Sequence, residues 1–512
     1  MASKRPMKVV AGLLFLCLPS SVTPTIWRVT PDGGGDAPTI QAAMDSASAG
    51  DTVLVAAGNY TWTSQNATGE SMVQLRNGVR LRGELGATQT ILDAENNGRV
   101  MRSRDPGEVS ISGLTITRGY SDGLGGGILS DFSDLIVSDC IIRDNLAGIG
   151  GGLACYEGTG LIVRCQFLRN TSDAGSAGGG GAASCENTVF SHCTFYDNRC
   201  FGQGAGGGAV ILATRTGYPV SSLKDCWFEG NSGTAPFGAW GGAVSANGDS
   251  VLRCMFVANV ATNGSALSGG GYVEDCIFIA NESFTGPTIS ISPHGKLVGC
   301  TVVGNSSPSP SFASAVFLQP GMVENSIIAF NEGSACSGSG TFICSNLFGN
   351  TQSDLLCGVD GGGNISVDPL FCTPDPIASL DASLRSSSPC LPENNSCGVL
   401  IGATGEGCTT SSVQESLNSA TAELRLGTWP NPFKSGTWIT YSAARIGRVR
   451  LSIYDSRGKL IKTLVEKTHG PGDYVLSWSG VDEAGRSVPS GMYIARIVSN
   501  GQMATQKLIL TK

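Results

Sequence analysis

Between residues 140 and 305 the chain repeats one pattern of apolar and polar positions: a Cys, any residue, an apolar residue, two further residues and an Asn, as in Cys226-Trp227-Phe228-Glu229-Gly230-Asn231. The Cys falls at 140, 165, 193, 226, 254, 276 and 300, and the Asn at 145, 170, 198, 231, 259, 281 and 305. The apolar position is taken by Ile142, Phe167, Phe195, Phe228, Phe256, Phe278 and Val302. Residues two apart on a strand share a face, so the Cys and the apolar residue are expected inside and their neighbours outside. Asn331 and Asn350 continue the series with Ser326 and Ser345 in place of Cys, and glycine knots such as 125–127, 150–152 and 206–208 precede most units. A unit of this size, with short strands, glycine turns and no helical period, cannot bury its inner face alone and predicts one coil of a stacked parallel β-solenoid. The Asn is expected at the bend, where it tolerates left-handed backbone and can bond from rung to rung.

Ahead of the repeats, Trp27–Thr30 reads as a short strand, and Ile40, Ala43, Met44 and Ala47 have helical spacing within 38–49, stopped by Gly50. Residues 1–24 combine Lys4, Arg5 and Lys8 with a short apolar run and a small-residue exit, which predicts a secretory signal too short to span a bilayer. No other segment is long and apolar enough to cross a membrane, so no transmembrane segment is expected once the signal is removed. The solenoid is expected over 25–408, a Ser/Thr-rich linker over 409–424 and a second domain over 425–512. That last stretch alternates strand and turn signals about seven times, the pattern of a small Ig-like β-sandwich. It carries 13 basic and 5 acidic residues against 20 and 36 in the rest of the chain.

The 72 glycines and 14% charged residues fit turns rather than collagen or disorder, since apolar content is ordinary and no Gly-X-Y period exists. The 18 cysteines fall into two populations. The seven at the repeat position are expected to remain a buried thiol ladder, because equivalent positions on stacked parallel strands point the same way. Cys336, Cys344, Cys357, Cys372, Cys390, Cys397 and Cys408 lie in loop-rich sequence and are the disulfide candidates, with one left over.

Two resemblances sharpen this picture. Pro38-Thr39-Ile40-Gln41-Ala42-Ala43, Gly50-Asp51-Thr52-Val53, Ile111-Ser112-Gly113-Leu114-Thr115-Ile116 and the Cys-x-Phe-x-x-Asn coils resemble the right-handed parallel β-helix proteins of the pectin-lyase-like superfamily. That resemblance implies an all-β fold whose first helix caps one end of the solenoid, with residues 368–403 plugging the other. Pro430-Asn431-Pro432-Phe433, Ile453-Tyr454-Asp455, Gly472-Asp473-Tyr474, Trp478 and Ser490-Gly491-Met492-Tyr493 resemble the FlgD-like Ig domains and the carboxyl-terminal sorting domains of type IX secretion. The implied partner of this domain is secretion machinery.

Many β-helix relatives cleave polysaccharides, yet the chain has no Asp-Asp pair, no calcium-loop spacing of Asp and only three His. No metal or cofactor is expected. The residue before each ladder Cys is expected to face outward, giving the row Asp139, Arg164, His192, Asp225, Arg253, Asp275. Opposite charges one rung apart predict a salt-bridge ladder; the functional alternative makes His192, Asp225 and Arg253 the catalytic candidates and Arg164 and Asp275 part of a polar sugar groove. Tyr196 and Trp227 face out beside them, in company with Met255 and Ile277, as a possible sugar-stacking platform. The expected function is therefore a secreted or bacterial outer-surface protein that binds extracellular polysaccharide or cell-surface glycan. A polysaccharide lyase or hydrolase and a structural envelope protein are the alternatives. The acidic solenoid argues against a nucleic-acid partner.

Overall fold

The computed structural model describes residues 23–408, except 174–178, 203–205, 216, 235–240, 308–313 and 374–375, and most of 425–511. The proposed signal and the 409–424 linker therefore lie outside the described residues, apart from residues 23 and 24, as does the Pro430–Phe433 motif.

Three parallel sheets run the length of the solenoid. Sheet A has 21 strands, most coils contributing two of them on either side of a bend, such as Ile128–Asp131 and Ser133–Ser138. Sheet B has 12 strands, mostly three residues long, and sheet C has seven. Each repeat motif forms one sheet B strand and its flanking corners, as Trp227–Glu229 does between Thr194–Tyr196 and Met255–Val257. The inward Phe167, Phe195, Phe228, Phe256 and Phe278 stack ring on ring with centroids 4.6–4.9 Å apart and planes within 11°. Each buried ring contributes about 1.5–3 kcal/mol by leaving water, before any gain from stacking.

The ladder Asn are fully buried and bond as expected. Asn231 donates its side-chain amide to Asn259 Oδ1 (2.9 Å) and Phe195 O (2.9 Å), and its backbone N–H to the same Oδ1 (3.0 Å). The chain of amides runs from Asn145 to Asn350 and ends on Asp354. The left-handed residue is not the Asn, however, but the one before it: Asp144, Arg169, Asp197, Ala258, Ala280 and Phe330 have φ of 50–56°, with Gly230 at 63°. The ladder Asn stay out of the left-handed region, and the neighbour absorbs the bend while the Asn side chain reaches the next rung. The strain of left-handed backbone at a non-glycine residue, about 1 kcal/mol, is offset by the amide bonds it makes possible. The glycine knots answer a different demand. A Cβ on Gly181 would sit 2.1 Å from Gly208 O, so successive coils touch backbone to backbone where sheet C hands over to sheet A.

At the amino-terminal end the helix α1 (Ile40–Ser46), capped by Thr39 Oγ1 accepting from the Ala42 N–H, lays Ile40, Ala43 and Met44 into the same buried cluster as Val29 and Val53. At the other end the closing segment does something unforeseen. Rather than plugging the solenoid, residues 368–373 and 376–403 turn back along the outside of sheet B. Phe371, Leu384, Cys390, Leu391 and Ile401 form a second cluster with the outward residues Ile279, Val303, Ile327 and Ala329. Gly402 N–H donates to Asn325 O (2.7 Å) and Ala403 N–H to Thr301 Oγ1 (3.0 Å). Most of the sheet B residues that face this segment are apolar and gain a cover, while Thr301 and Asn346 bond to it.

The seven repeat cysteines are free and buried, as is Cys390, the odd one of the later set. Cys336–Cys357, Cys344–Cys397 and Cys372–Cys408 are disulfides. A fourth, Cys155–Cys185, joins in-register residues of adjacent sheet A strands with Cα atoms 4.6 Å apart. Stacked equivalent positions can therefore cross-link, and the ladder thiols differ in directing their sulfurs at backbone carbonyls, as Cys226 Sγ does at Lys224 O (3.2 Å).

Among the described residues the carboxyl-terminal domain has seven strands in two antiparallel sheets, three in one and four in the other. Ile439, Tyr441, Leu451, Trp478, Tyr493 and Leu508, drawn from both sheets, fill the space between them.

Candidate functional site

The charged row before the ladder Cys occupies the corner between sheets A and B, not a strand. Asp139, Arg164, His192, Asp225, Arg253 and Asp275 all have φ of 50–55°. Two pairs close side-on: Arg164 Nε and Nη2 on Asp139 at 2.7 and 2.8 Å, and Arg253 Nε and Nη2 on Asp225 at 2.8 and 3.0 Å. These guanidinium hydrogen bonds hold Asp139 and Asp225 below the usual carboxylate range. Burial and the adjacent Glu274 push Asp275 the other way. His192 Nδ1 lies 2.8 Å from Ser191 Oγ, while both Asp225 oxygens are taken by Arg253. The corner joins four of its six residues in two ion pairs, Arg164 with Asp139 and Arg253 with Asp225.

The aromatic positions separate by register. Trp227 stands opposite Thr194 and Met255, whereas Tyr196 stands opposite Glu229, so the two rings belong to different outward rows. Tyr196 is 45% exposed; Trp227 is half-buried and donates Nε1–H to Glu229 Oε2 (2.9 Å). Met255 and Ile277 lie against the returning carboxyl-terminal segment.

A denser group of functional side chains lies on the outer face of sheet A. Strands Ile128–Asp131, Leu153–Tyr156, Ala183–Glu186 and Val210–Ala213 pair in register, which aligns Asp131 with Tyr156 and Glu186 with Ala213. Alternation sends Ile128, Leu153, Cys155, Cys185 and Leu212 into the core and leaves Asp131, Tyr156, Ser184 and Glu186 outside. The next residue of the middle coil, Glu157, has φ of 59° and begins the bend into the second sheet A strand. From the following loop Arg215 reaches back, its Nη1 3.2 Å from Glu157 Oε1 and 3.6 Å from Glu186 Oε2. Its backbone N–H donates to Asn187 Oδ1 (2.9 Å). Sharing one nitrogen, the two carboxylates are no more than about 7 Å apart. The Tyr156 hydroxyl is 2.7 Å from Ser184 Oγ, and burial, with Glu186 and Asp131 nearby, raises its pKa.

Behind the 214–221 loop Thr214 Oγ1 donates to Asp249 Oδ1, while Asp249 Oδ2 is buried without a hydrogen-bond partner among the described residues. Burial raises this carboxyl's pKa. The signal for the cluster was present in the chain: Ser130-Asp131, Cys155-Tyr156-Glu157 and Cys185-Glu186 recur at nearly the coil spacing. It belongs to a second inward row, Cys155 and Cys185, that the Cys-x-apolar-x-x-Asn motif does not include.

Comparison with known proteins agrees with the two architectures. Residues 53–251 match the family described as right handed beta helix region, and residues 433–502 match the FlgD Ig-like domain. The chain is thus a right-handed parallel β-helix repeat protein. Its carboxyl-terminal unit is a FlgD Ig-like domain.

A 145-residue stretch is 28% identical to the metabotropic glutamate receptor-like protein R of Dictyostelium discoideum, covering 28% of this chain and only 8% of that protein. Among solved structures, pectate lyase Pel9A aligns over 78% of this chain and 95% of its own, at 12% identity and a TM-score of 0.36. Dimeric latent PorU from Porphyromonas gingivalis aligns over 17% and 9%, at 23% identity and a TM-score of 0.15. Neither likeness extends to a substrate. Among the described residues no helix is long and apolar enough to cross a membrane.

Proposed function

We propose that this β-helix protein is exported, works at or beyond the outer cell surface, and binds carbohydrate along the outer face of sheet A. The observation that carries the reading is the convergence of Asp131, Glu157 and Glu186 with Tyr156, Ser184 and Arg215 on consecutive coils. Carboxylates accept hydrogen bonds from sugar hydroxyls, the guanidinium and the Tyr and Ser hydroxyls can donate, and a rigid sheet fixes their spacing. The corner row Arg164, His192, Asp225, Arg253 and Asp275, with Tyr196 and Trp227, is the competing surface. The FlgD Ig-like domain would serve as the module that secretion machinery reads.

One observation favours cleavage as a second reading. The Glu157 and Glu186 oxygens that share Arg215, no more than about 7 Å apart, do not exceed the separation of up to roughly 9.5 Å over which paired carboxylates act on a glycosidic bond. A glycan array combined with assays for reducing ends and unsaturated products separates the cases. Binding that is lost in Glu186→Gln, without turnover, supports the proposal; turnover supports the second reading; neither, on a broad panel, leaves a structural envelope protein.

A further inference from the structure

Where the returning segment crosses the outside of sheet B, on a different sheet from the Asp131–Glu157–Glu186 cluster, it encloses a hollow of about 270 Å³. The walls are mostly apolar, with Val303 and Phe330 contributed by the solenoid and Phe371 and Ile377 by the returning segment. Val303 and Phe371 are buried, whereas Phe330 and Ile377 are each 38% exposed, so the hollow has a closed floor and an open rim. The Phe330 and Phe371 ring centroids lie 6.3 Å apart with their planes tilted by 59°.

Two opposite charges, Asp368 and Arg385, line the same hollow without meeting. Asp368 is exposed, and its Oδ1 accepts from the Leu370 N–H (2.9 Å), which leaves Oδ2 unbonded among the described residues. Arg385 is fastened to the same turn: its backbone N–H donates to Leu370 O (3.0 Å) and its Nε to Phe371 O (3.0 Å). Its Nη1 and Nη2 carry no hydrogen bond or ion pair among the described residues, and they are open to solvent. Elsewhere in the solenoid neighbouring Arg and Asp close on each other, as Arg164 does on Asp139 at 2.7 Å. Here each side chain is tied to the turn, and both charges stay available.

We propose that this hollow binds a free α-amino acid with an apolar, preferably aromatic, side chain. The carboxylate sits on the Nη1 and Nη2 end of Arg385, the ammonium on Asp368, and the side chain against Phe330 and Phe371. The volume is just under the roughly 300–1,000 Å³ of sites for drug-sized ligands, which limits the guest to the size of one amino acid or one sugar ring. The apolar walls favour the first, because most hydroxyls of a sugar would be left without partners. Charges of both signs call for both signs on one guest, and a terminal residue of a peptide carries only one of them. The end of the guanidinium fork takes two carboxylate oxygens, and a third ring packs edge-on against the tilted pair.

Calorimetric titration of the full-length protein with phenylalanine, 3-phenylpropionate, phenethylamine and glucose tests the proposal. Phenylalanine is expected to bind at least about tenfold more tightly than phenethylamine, which lacks the carboxylate. It should bind at least about threefold more tightly than 3-phenylpropionate, which lacks the ammonium, the smaller gap following from the exposure of Asp368. Glucose should not bind here. Asp368→Asn keeps the oxygen that accepts from Leu370 and removes the charge, so it should erase the preference for phenylalanine over 3-phenylpropionate. Phe330→Ala, at the open rim, should weaken phenylalanine several-fold. Absence of phenylalanine binding, equal binding of phenethylamine, 3-phenylpropionate or glucose, a preference that survives Asp368→Asn, or affinity indifferent to Phe330→Ala would overturn it.

Discussion

The corner row and the outer face of sheet A are built from the same residue types and differ in what they leave available. At the corner each Arg meets one Asp on a neighbouring rung, two hydrogen bonds to two oxygens, so that four of the six residues of the row are consumed in pairs. On sheet A one guanidinium serves two carboxylates, Asp131 stands a rung away, and the half-buried Tyr156 rests its hydroxyl on Ser184. Balanced pairs at exposed corners hold the coils in line at little energetic consequence, whereas an excess of acceptors on a flat sheet leaves hydrogen-bonding capacity for a ligand. The geometry beneath explains the difference. The corner repeats on a strict rung, so opposite charges fall opposite each other; Arg215 comes from a loop inserted in one coil and has no counterpart in the coils before it.

Substitutions can break the comparison at graded depths. Phe228→Ala removes the middle ring of the stack beneath sheet B and should cost about 3–5 kcal/mol, measured as a loss of urea midpoint. Replacing Cys155 and Cys185 together by Ser removes the cross-link directly under the carboxylate cluster and should cost about 2–4 kcal/mol, with a further loss of glycan affinity if that face must be rigid.

Acid titration separates the two regions by sign. Asp139 and Asp225 have lowered folded pKa values, so what they contribute is present above the unfolded value near 3.8 and disappears as pH falls through the folded one. Asp249 is raised, so its share is present below that value and is lost as pH rises through its folded pKa. Urea midpoints across this range should therefore show Asp249→Asn sparing the protein a loss of stability on the alkaline side. Smallest of all, Arg164→Ala and Arg253→Ala should each change stability by less than about 1 kcal/mol, because both pairs are exposed. A larger loss at the corner would mean that its pairs are more than alignment.

Most of the architecture was legible because the repeat writes it many times over. Cys226, Phe228 and Asn231 each have six or more equivalents, and alternation on a strand assigns their faces without ambiguity. The capping helix and the seven-strand sandwich followed from local signals of the same kind. What eluded the sequence depends on meetings that local patterns do not encode. The return of the segment that carries Phe371 and Ala403 over sheet B is a contact between segments as much as a hundred residues apart, such as Ala403 with Thr301. The separation of Tyr196 from Trp227, by contrast, was readable from the motif, since Tyr196 stands three residues after its ladder Cys and Trp227 only one. The Asp131–Glu157–Glu186 cluster was partly legible, since its residues recur at coil spacing, but Arg215 joins it only through the fold.

The most direct test of the account compares Glu186→Gln with the triple variant of His192, Asp225 and Arg253 to Ala, on whichever glycan the wild-type protein binds. The account predicts that Glu186→Gln weakens binding by at least about tenfold while the triple variant binds as the wild type does, each with unchanged circular dichroism. Loss of binding in the triple variant with Glu186→Gln unaffected would contradict it and move the site to the corner.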